Sequence, residues 1–488
     1  MSSSTDAQRD DRLDRGFFGQ PRPLANLFGV EMWERFSFYG MQGIVLLYLY
    51  YTASQGGLGI DQATATGIVG AYGGTVYLAT ILGAWLADRV IGPERTLFYA
   101  AICVMAGHIA LAVVPDLAGV GLGLVLIALG SGGVKANATS LVGSLYDEHD
   151  PRRDAGFSLF YMGINIGALL GPLLTGLLQK EAGFHWGFAA AAFGMAIGLT
   201  QYALTRKNLP EETHHVANPL PADRRVVYVV GAVVVLALVG VLVWIEVITA
   251  ERLADIVIGI SLLAAIAYFA RILSDKDVRG AERSRIFAFM PLFVCNVVFW
   301  SLYQQQFTVV TLYADKRLDR DLFGWEMPIA WVNSINPVFI IVLAGVFAAL
   351  WTKLGDRQPI TPIKFGAGTV LMGVAFFAFL LMPPGENTVP LLGLVGILLI
   401  FTVAELLISP VGLSATTKLG PKKYLTQMVA LYFLSIALGT ALAGVLAGYY
   451  DATDEAPFFI SIGLASVITG VVVMLASKPI HRLMAGVD

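Results

Sequence analysis

Two glutamates and an arginine, Glu31, Glu34 and Arg35, stand in the stretch "EMWERFSFYG" inside a long apolar segment. At i, i+3 and i+4 they share one face of a helix. Carboxylates can take up and release protons, and a guanidinium can hold a carboxylate in a two-pronged hydrogen bond. A charge at mid-bilayer costs about 2.5–3.5 kcal/mol on insertion scales, so such groups turn to a partner or a cavity. The plainer alternative is an interfacial cluster whose side chains reach back to water. Glu31 is shallow enough for that; Arg35 lies deeper and fits it less well.

Two further charges sit inside apolar runs. Lys135 lies in "LGSGGVKANATSLVG", where Gly130, Gly132 and Gly133 would let a neighbouring backbone approach closely. An unpaired buried lysine tends to lose its proton, so a carboxylate of the first segment, Glu31 or Glu34, is the expected partner. Glu405 lies in "FTVAELLISPVGLSA"; a protonated, hydrogen-bonded core residue is the bland reading there. Pro410 deprives the Leu406 carbonyl of its helical donor, and local unwinding is expected. The cations then belong to one half of the chain and the lone acid to the other. A cavity between the halves would suit a zwitterion.

The elements that must position these groups follow from composition. Of 488 residues, 56% are hydrophobic and only 14% charged, against roughly a quarter charged in soluble proteins. Many runs reach the length of about 20 residues that a helix needs to cross a bilayer, and backbone spanning lipid in such runs must be helical. Fourteen spans are expected: 25–51, 63–89, 96–114, 119–142, 156–179, 184–205, 226–248, 253–272, 286–313, 328–351, 361–382, 389–413, 424–449 and 457–477. Of the 32 Lys and Arg residues, 25 fall on the side of the amino terminus, five on the opposite side, and two, Arg35 and Lys135, within spans. This bias predicts both termini in the cytoplasm of a cell (inner or plasma) membrane.

The most polar internal stretches, 206–225 and 273–285, bracket the seventh and eighth spans. Removing that pair leaves six plus six helices, the arithmetic of a transporter built from two parallel repeats. The expected organisation is a cytoplasmic tail (1–24), an N-terminal six-helix bundle (25–205), linkers carrying two additional transmembrane helices (206–285), and a C-terminal six-helix bundle with a short tail (286–488). The loop "GAWLADRVIGPER" supports it. Gly83 would allow close helix approach, while Asp88 and Arg89 can cap and pair at a helix end. The loop resembles the signature loop of the major facilitator superfamily, which implies a gating role for Asp88 and Arg89.

Other classes fare poorly. The net charge of −3 gives no nucleic-acid signal, and Cys103 and Cys295 both lie in apolar runs, where a structural disulfide is not expected. The first 22 residues lack the pattern of a signal peptide. HExxH, GxSxG and GxxxxGK[ST] are missing from the sequence, so neither an enzyme nor direct ATP drive is indicated. Of the six histidines, only His108 falls well inside a span, and no metal cluster is expected.

The same motifs carry a family resemblance. "EMWERFSFYG" resembles the first-helix signature ExxERFxYYG of the proton-dependent oligopeptide transporter (POT) family, with Phe38 in place of a tyrosine. "FYMGINIGALL" is similar to the fifth-helix signature and includes Asn165. "GGVKAN" supplies the fourth-helix lysine as Lys135, and "ELLISP" the tenth-helix acid as Glu405. "FWSLYQQQ", "NSINPVF" and "ALYFLSIALGT" resemble the seventh, eighth and eleventh helices. The resemblance covers nearly the whole chain and implies a major-facilitator fold with two extra helices between the bundles.

It also implies roles. Glu31, Glu34, Arg35 and Lys135 would couple protons, with Arg35 and Lys135 near a peptide carboxylate and Glu405 on its amino terminus. Tyr39, Gln42, Tyr77, Asn165, Trp300, Gln304, Asn336, Ser409 and Tyr432 would line the site. Gln42 and Gln304 depart from the family, where an arginine and a seventh-helix acid are common. As neutral amides they can still hydrogen-bond, but a proton route through a seventh-helix carboxylate is lost. Tyr432 replaces a tryptophan. The implied activity is symport of protons with di- and tripeptides by alternating access, without a cofactor, in a chain expected to work as a monomer in lipid. The competing readings are transport of nitrate or of a drug-like or peptidomimetic compound, or a non-transporting peptide sensor.

Overall fold

The computed structural model describes residues 15–147 and 150–487. The first fourteen residues of the expected tail, and His149, lie outside the described residues. The helices are α1 (Pro23–Tyr50), α2 (Gln62–Leu86), α3 (Pro93–Val113), α4 (Asp116–Ser144), α5 (Arg153–Ala182), α6 (Phe184–Thr205), α7 (Ala222–Trp244) and α8 (Leu253–Ser274). After these come α9 (Ala281–Tyr303), α10 (Val309–Lys316), α11 (Ile335–Leu354), α12 (Thr361–Phe379), α13 (Leu391–Leu419), α14 (Leu425–Ala447), α15 (Ala456–Leu475) and α16 (Ser477–Leu483). A two-residue hairpin, β1 (Asp321–Leu322) against β2 (Trp325–Glu326), is the only sheet among the described residues.

Thirteen of the helical segments are long and apolar enough to cross a membrane. The fourteenth expected span, α1, has 28 residues, about 42 Å at 1.5 Å per residue. It carries the Glu31–Glu34–Arg35 group and is not among the thirteen. The all-α, multi-span architecture is the one expected.

Two expectations fail locally. The ninth span was expected as one helix over 286–313. Instead α9 ends at Tyr303, a tight turn covers Gln304–Phe307, and α10 starts at Val309. Thr308 leaves the helical region at φ −124°, ψ −91°, and Gln304 and Gln305 bond laterally to Thr440 and the Ala443 carbonyl. Unwinding after Glu405 is also absent: α13 runs through Pro410 without a break. An interior proline removes one backbone donor and crowds the carbonyl four residues back, a cost that membrane-spanning helices absorb through small local adjustments.

The chain divides into two compact units. One comprises Met1–Tyr48, Ala53–Leu58 and Ala79–Thr249; the other Leu49–Thr52, Gly59–Leu78 and Ala250–Asp488. In the first, glycines set the packing. A Cβ on Gly83 would stand 2.6 Å from the Cα of Gly133, and one on Gly107 would meet Ile127 at 2.6 Å. Gly92 (φ +84°) turns the chain sharply so that Pro93 can open α3. A core of Leu24, Leu27, Leu97, Leu141, Phe160 and Tyr202 fills the end of this unit next to residue 209.

In the second unit, α8 is held by an apolar cluster in which Ala254 and Val257 meet Ala71 and Ala441. Gly70 and Gly444 pack backbone to backbone, at 2.6 Å from a Cβ on Gly70 to the Cα of Gly444. The pair α12 and α15 is joined the same way through Gly366 and Gly470. Helix α7, in the first unit, has no buried residue at all, so it presents apolar side chains all round, as lipid requires.

Candidate functional site

The first group forms in unit one, on α1 and α4. Arg35 Nε lies 2.6 Å from Glu34 Oε2 and 3.1 Å from Glu31 Oε1. All three side chains are buried. The second oxygen of Glu34, Oε1, accepts a hydrogen bond of 2.6 Å from Ser131 Oγ. Phe38, where the family motif has tyrosine, places its ring 5.2 Å from the Arg35 guanidinium carbon, an attractive cation–π distance. Lys135 stands one turn beyond Ser131 and interacts electrostatically with Arg35, Tyr39, Glu31 and Glu34. Arg35 engages both acids, Lys135 faces the same group electrostatically, and Ser131 is an added member.

With all four ionisable groups charged, two acids and two cations sum to zero. One proton taken up by a carboxylate leaves the group at +1. In a low-dielectric surrounding such an excess charge is costly unless an anion answers it.

The second group forms in unit two, on α9, α11 and α13. Glu405 Oε2 accepts from Tyr303 Oη at 2.9 Å and from Asn336 Nδ2 at 3.3 Å. The same amide also donates to Thr402 Oγ1 at 3.0 Å, one turn before Glu405. Trp300 meets Tyr303 edge-on at 5.1 Å and lies 6.5 Å from the ring of Tyr77. Tyr432 donates to the Ser409 carbonyl at 3.3 Å and interacts with Tyr77 and Glu405. Gln304 donates to Thr440 Oγ1 at 3.2 Å.

The structure thus brings together Glu31, Glu34, Arg35, Tyr39 and Lys135 in one unit. It brings together Tyr77, Trp300, Asn336, Glu405, Ser409 and Tyr432 in the other. Asn165 bonds back to the Tyr161 carbonyl of its own helix at 2.8 Å, and Gln42 is buried in α1; neither bonds to these groups among the described residues. Sequence reasoning missed Ser131, Tyr303 and Thr402. Each lies three or four residues from a residue the sequence did single out, Lys135, Trp300 or Glu405, but the groups that Ser131 and Tyr303 bond to are distant in sequence. Among the described residues no cluster of His, Cys, Asp and Glu is placed to hold a metal ion.

The loop holding Asp88 and Arg89 is a π turn over Ala87–Ile91. The two side chains lie 3.8 Å apart and are half-exposed. The linker after α6 runs along this loop: Asn218 and Leu220 donate backbone bonds of 3.0 Å to the carbonyls of Asp88 and Arg89. Fully buried Glu94 anchors it, bonding Arg206 at 2.5 Å and 2.8 Å and His214 Nδ1 at 3.2 Å. Arg206 also lies 4.0 Å above the ring of Phe98.

A sequence model of the POT family (PTR2) matches residues 94–464. The chain is 44% identical over 476 residues to the uncharacterized transporter YclF of Bacillus subtilis, covering 97% of each. It is 37% identical over 495 residues to the di-/tripeptide transporter of Lactococcus lactis subsp. cremoris, covering 98% of this chain and all of the relative. A crystal structure of peptide transporter POT in complex with sulfate superposes with a TM-score of 0.92 at 42% identity, covering 96% of this chain and 97% of that one. That likeness gives the fold as the major-facilitator type.

Proposed function

The chain belongs to the POT family of multi-pass membrane transporters, and from that premise we propose that it imports di- and tripeptides together with protons by alternating access. The charge arithmetic of the two groups carries the reading. The group around Arg35 and Lys135 is neutral until a proton arrives, and then welcomes a carboxylate. Glu405 offers a single negative charge, which suits an ammonium. A zwitterionic peptide supplies both ends, and with one proton the charges of both groups, ligand included, sum to zero. A relative named as a di-/tripeptide transporter supports this substrate class.

In this reading, Glu31 or Glu34 takes the proton and loosens its hold on Arg35. The guanidinium and Lys135 then bind the peptide carboxylate, and Glu405 binds the amino terminus. Tyr39, Tyr77, Asn165, Trp300, Asn336, Ser409 and Tyr432 line the path, with Gln42 and Gln304 as neutral hydrogen-bonding positions. The coupling ion is the proton, no cofactor takes part, and Asp88 and Arg89 act in gating. The protein works as a monomer in the cell membrane with both termini in the cytoplasm. A simple anion such as nitrate would leave Glu405 without a role.

The test is accumulation of labelled dialanine in proteoliposomes under an inward proton gradient, for wild type and Glu405→Gln. Accumulation in wild type and its loss in the variant are expected. Accumulation indifferent to the variant removes Glu405 from the site. No gradient-driven uptake of any di- or tripeptide overturns the reading in favour of another solute or a sensor.

A further inference from the structure

Ser131 lies in the stretch that drew attention to α4 but carried no role there, yet its hydroxyl bonds directly across to Glu34 of α1. Both side chains are fully buried, and the Oγ–Oε1 distance is 2.6 Å, typical of a hydroxyl donating to an ionised carboxylate. Around Ser131 the backbone of α4 is clamped by small residues. A Cβ on Gly130 would meet the Ala100 carbonyl at 2.6 Å, and Gly133 lies against Gly83. Helix α4 therefore has little freedom to shift on those sides. Lys135, at i+4, shares the face of Ser131.

We infer that Ser131 is a positioning residue that ties the charge state of Glu34 to the placement of α4 and its Lys135. This rests on the proton-symport reading given above. Ionised, the two oxygens of Glu34 answer two partners, the Arg35 cation beside one and the donating Ser131 hydroxyl on the other. A proton arriving on the carboxylate removes the charge both partners answer, and the hydroxyl bond weakens to that of a neutral pair. Glu31, Arg35, Tyr39 and Lys135 complete the set of ionisable groups in electrostatic contact here. Without the Ser131 hydroxyl, the charge of Glu34 reaches α4 only through its longer-range attraction to Lys135. Binding and exchange of peptide persist, and the coupling to protons is what fails.

Two modes of transport in proteoliposomes separate these effects. One is accumulation of labelled dialanine driven by an inward proton gradient. The other is exchange of external labelled for internal unlabelled dialanine with no gradient. Ser131→Ala is expected to cut accumulation about tenfold while exchange falls less than about twofold, and Ser131→Thr to restore accumulation. Unchanged accumulation in Ser131→Ala overturns the inference. So does a parallel fall of both modes that Ser131→Thr fails to rescue, which would mark a structural role. Glu34→Gln is the control on the underlying reading: if it leaves accumulation intact, Glu34 is not the proton-binding group, and it is that reading that fails.

Discussion

Tyr303 and Asn336 both donate to the same carboxylate oxygen of Glu405, Oε2, at 2.9 Å and 3.3 Å. Among the described residues, the other oxygen accepts no hydrogen bond. The carboxylate is thereby oriented through one of its two oxygens. Tyr303→Phe removes one of the two orienting bonds and leaves the ring stacking intact. The KM for dialanine should rise about tenfold, ~1.4 kcal/mol, with a smaller change in kcat. In a Glu405→Gln background the same change should have little further effect, because coupled residues are not additive. Initial-rate uptake over a range of dialanine concentrations measures both.

The bond of Glu94 to Arg206 and His214 predicts a stability effect far from the ligand groups. Glu94 is fully buried, and Glu94→Gln leaves Arg206 without its charged partner. Breaking a buried pair from one side costs about 3–5 kcal/mol, with the lower end expected because Arg206 is a quarter exposed. Thermal unfolding in detergent should show a Tm several degrees lower, and limited proteolysis should cut faster within 206–220.

Gly83 and Gly133 give a steric prediction with an internal control. A Cβ on Gly83 would press on the Gly133 backbone at 2.6 Å, which cannot yield as a flexible side chain would. Gly83→Ala should destabilise by about 1–3 kcal/mol. Gly396, in α13, has nothing within 4 Å of its Cβ position, and Gly396→Ala should be neutral or stabilising by up to about 1 kcal/mol. Monodispersity after heating distinguishes the two.

A pH-dependent contribution comes from the turn after α8. Lys423 bonds Asp275 at 2.7 Å and Asp277 at 2.8 Å, and Tyr424 donates to Asp275 at 2.6 Å. Lys423, aided by Tyr424, holds the Asp275 carboxyl below its ordinary value of 3.8. A carboxyl depressed on folding stabilises above its ordinary value and loses that contribution as pH falls through the folded one. Asp275→Asn should therefore lower the Tm at neutral pH, and the gap from wild type should close as pH falls below 3.8. A gap that widens in acid would contradict the assignment.

The first-helix charges were legible because acids and an arginine inside an apolar run stand out against the cost of placing them there. The multi-span fold was legible for the same reason: lipid leaves the backbone few choices. Ser131 was not, since a serine among glycines reads as a small residue for helix packing, and only the 2.6 Å contact gives it a partner. Tyr303 and Thr402 were hidden because aromatic and hydroxyl residues in spans have many ordinary uses. The break after Tyr303 was invisible because glutamines do not by themselves end a helix; lateral bonds to Thr440 and the Ala443 carbonyl reveal it. Glu94 was passed over as part of a charged turn, although the loop around it was recognised. The eighth span, a mere insertion in the sequence, is a packed element whose Val257 meets Gly74.

The most direct test of proton coupling by the α1 glutamates follows protons rather than peptide. Proteoliposomes carrying a trapped pH-sensitive dye, with the membrane potential clamped, receive external dialanine without any imposed gradient. The account predicts that the lumen acidifies with wild type, and that the Glu31→Gln, Glu34→Gln double variant gives no acidification. Peptide entering wild-type vesicles with no change in internal pH, or a double variant that acidifies as fast as wild type, would contradict it.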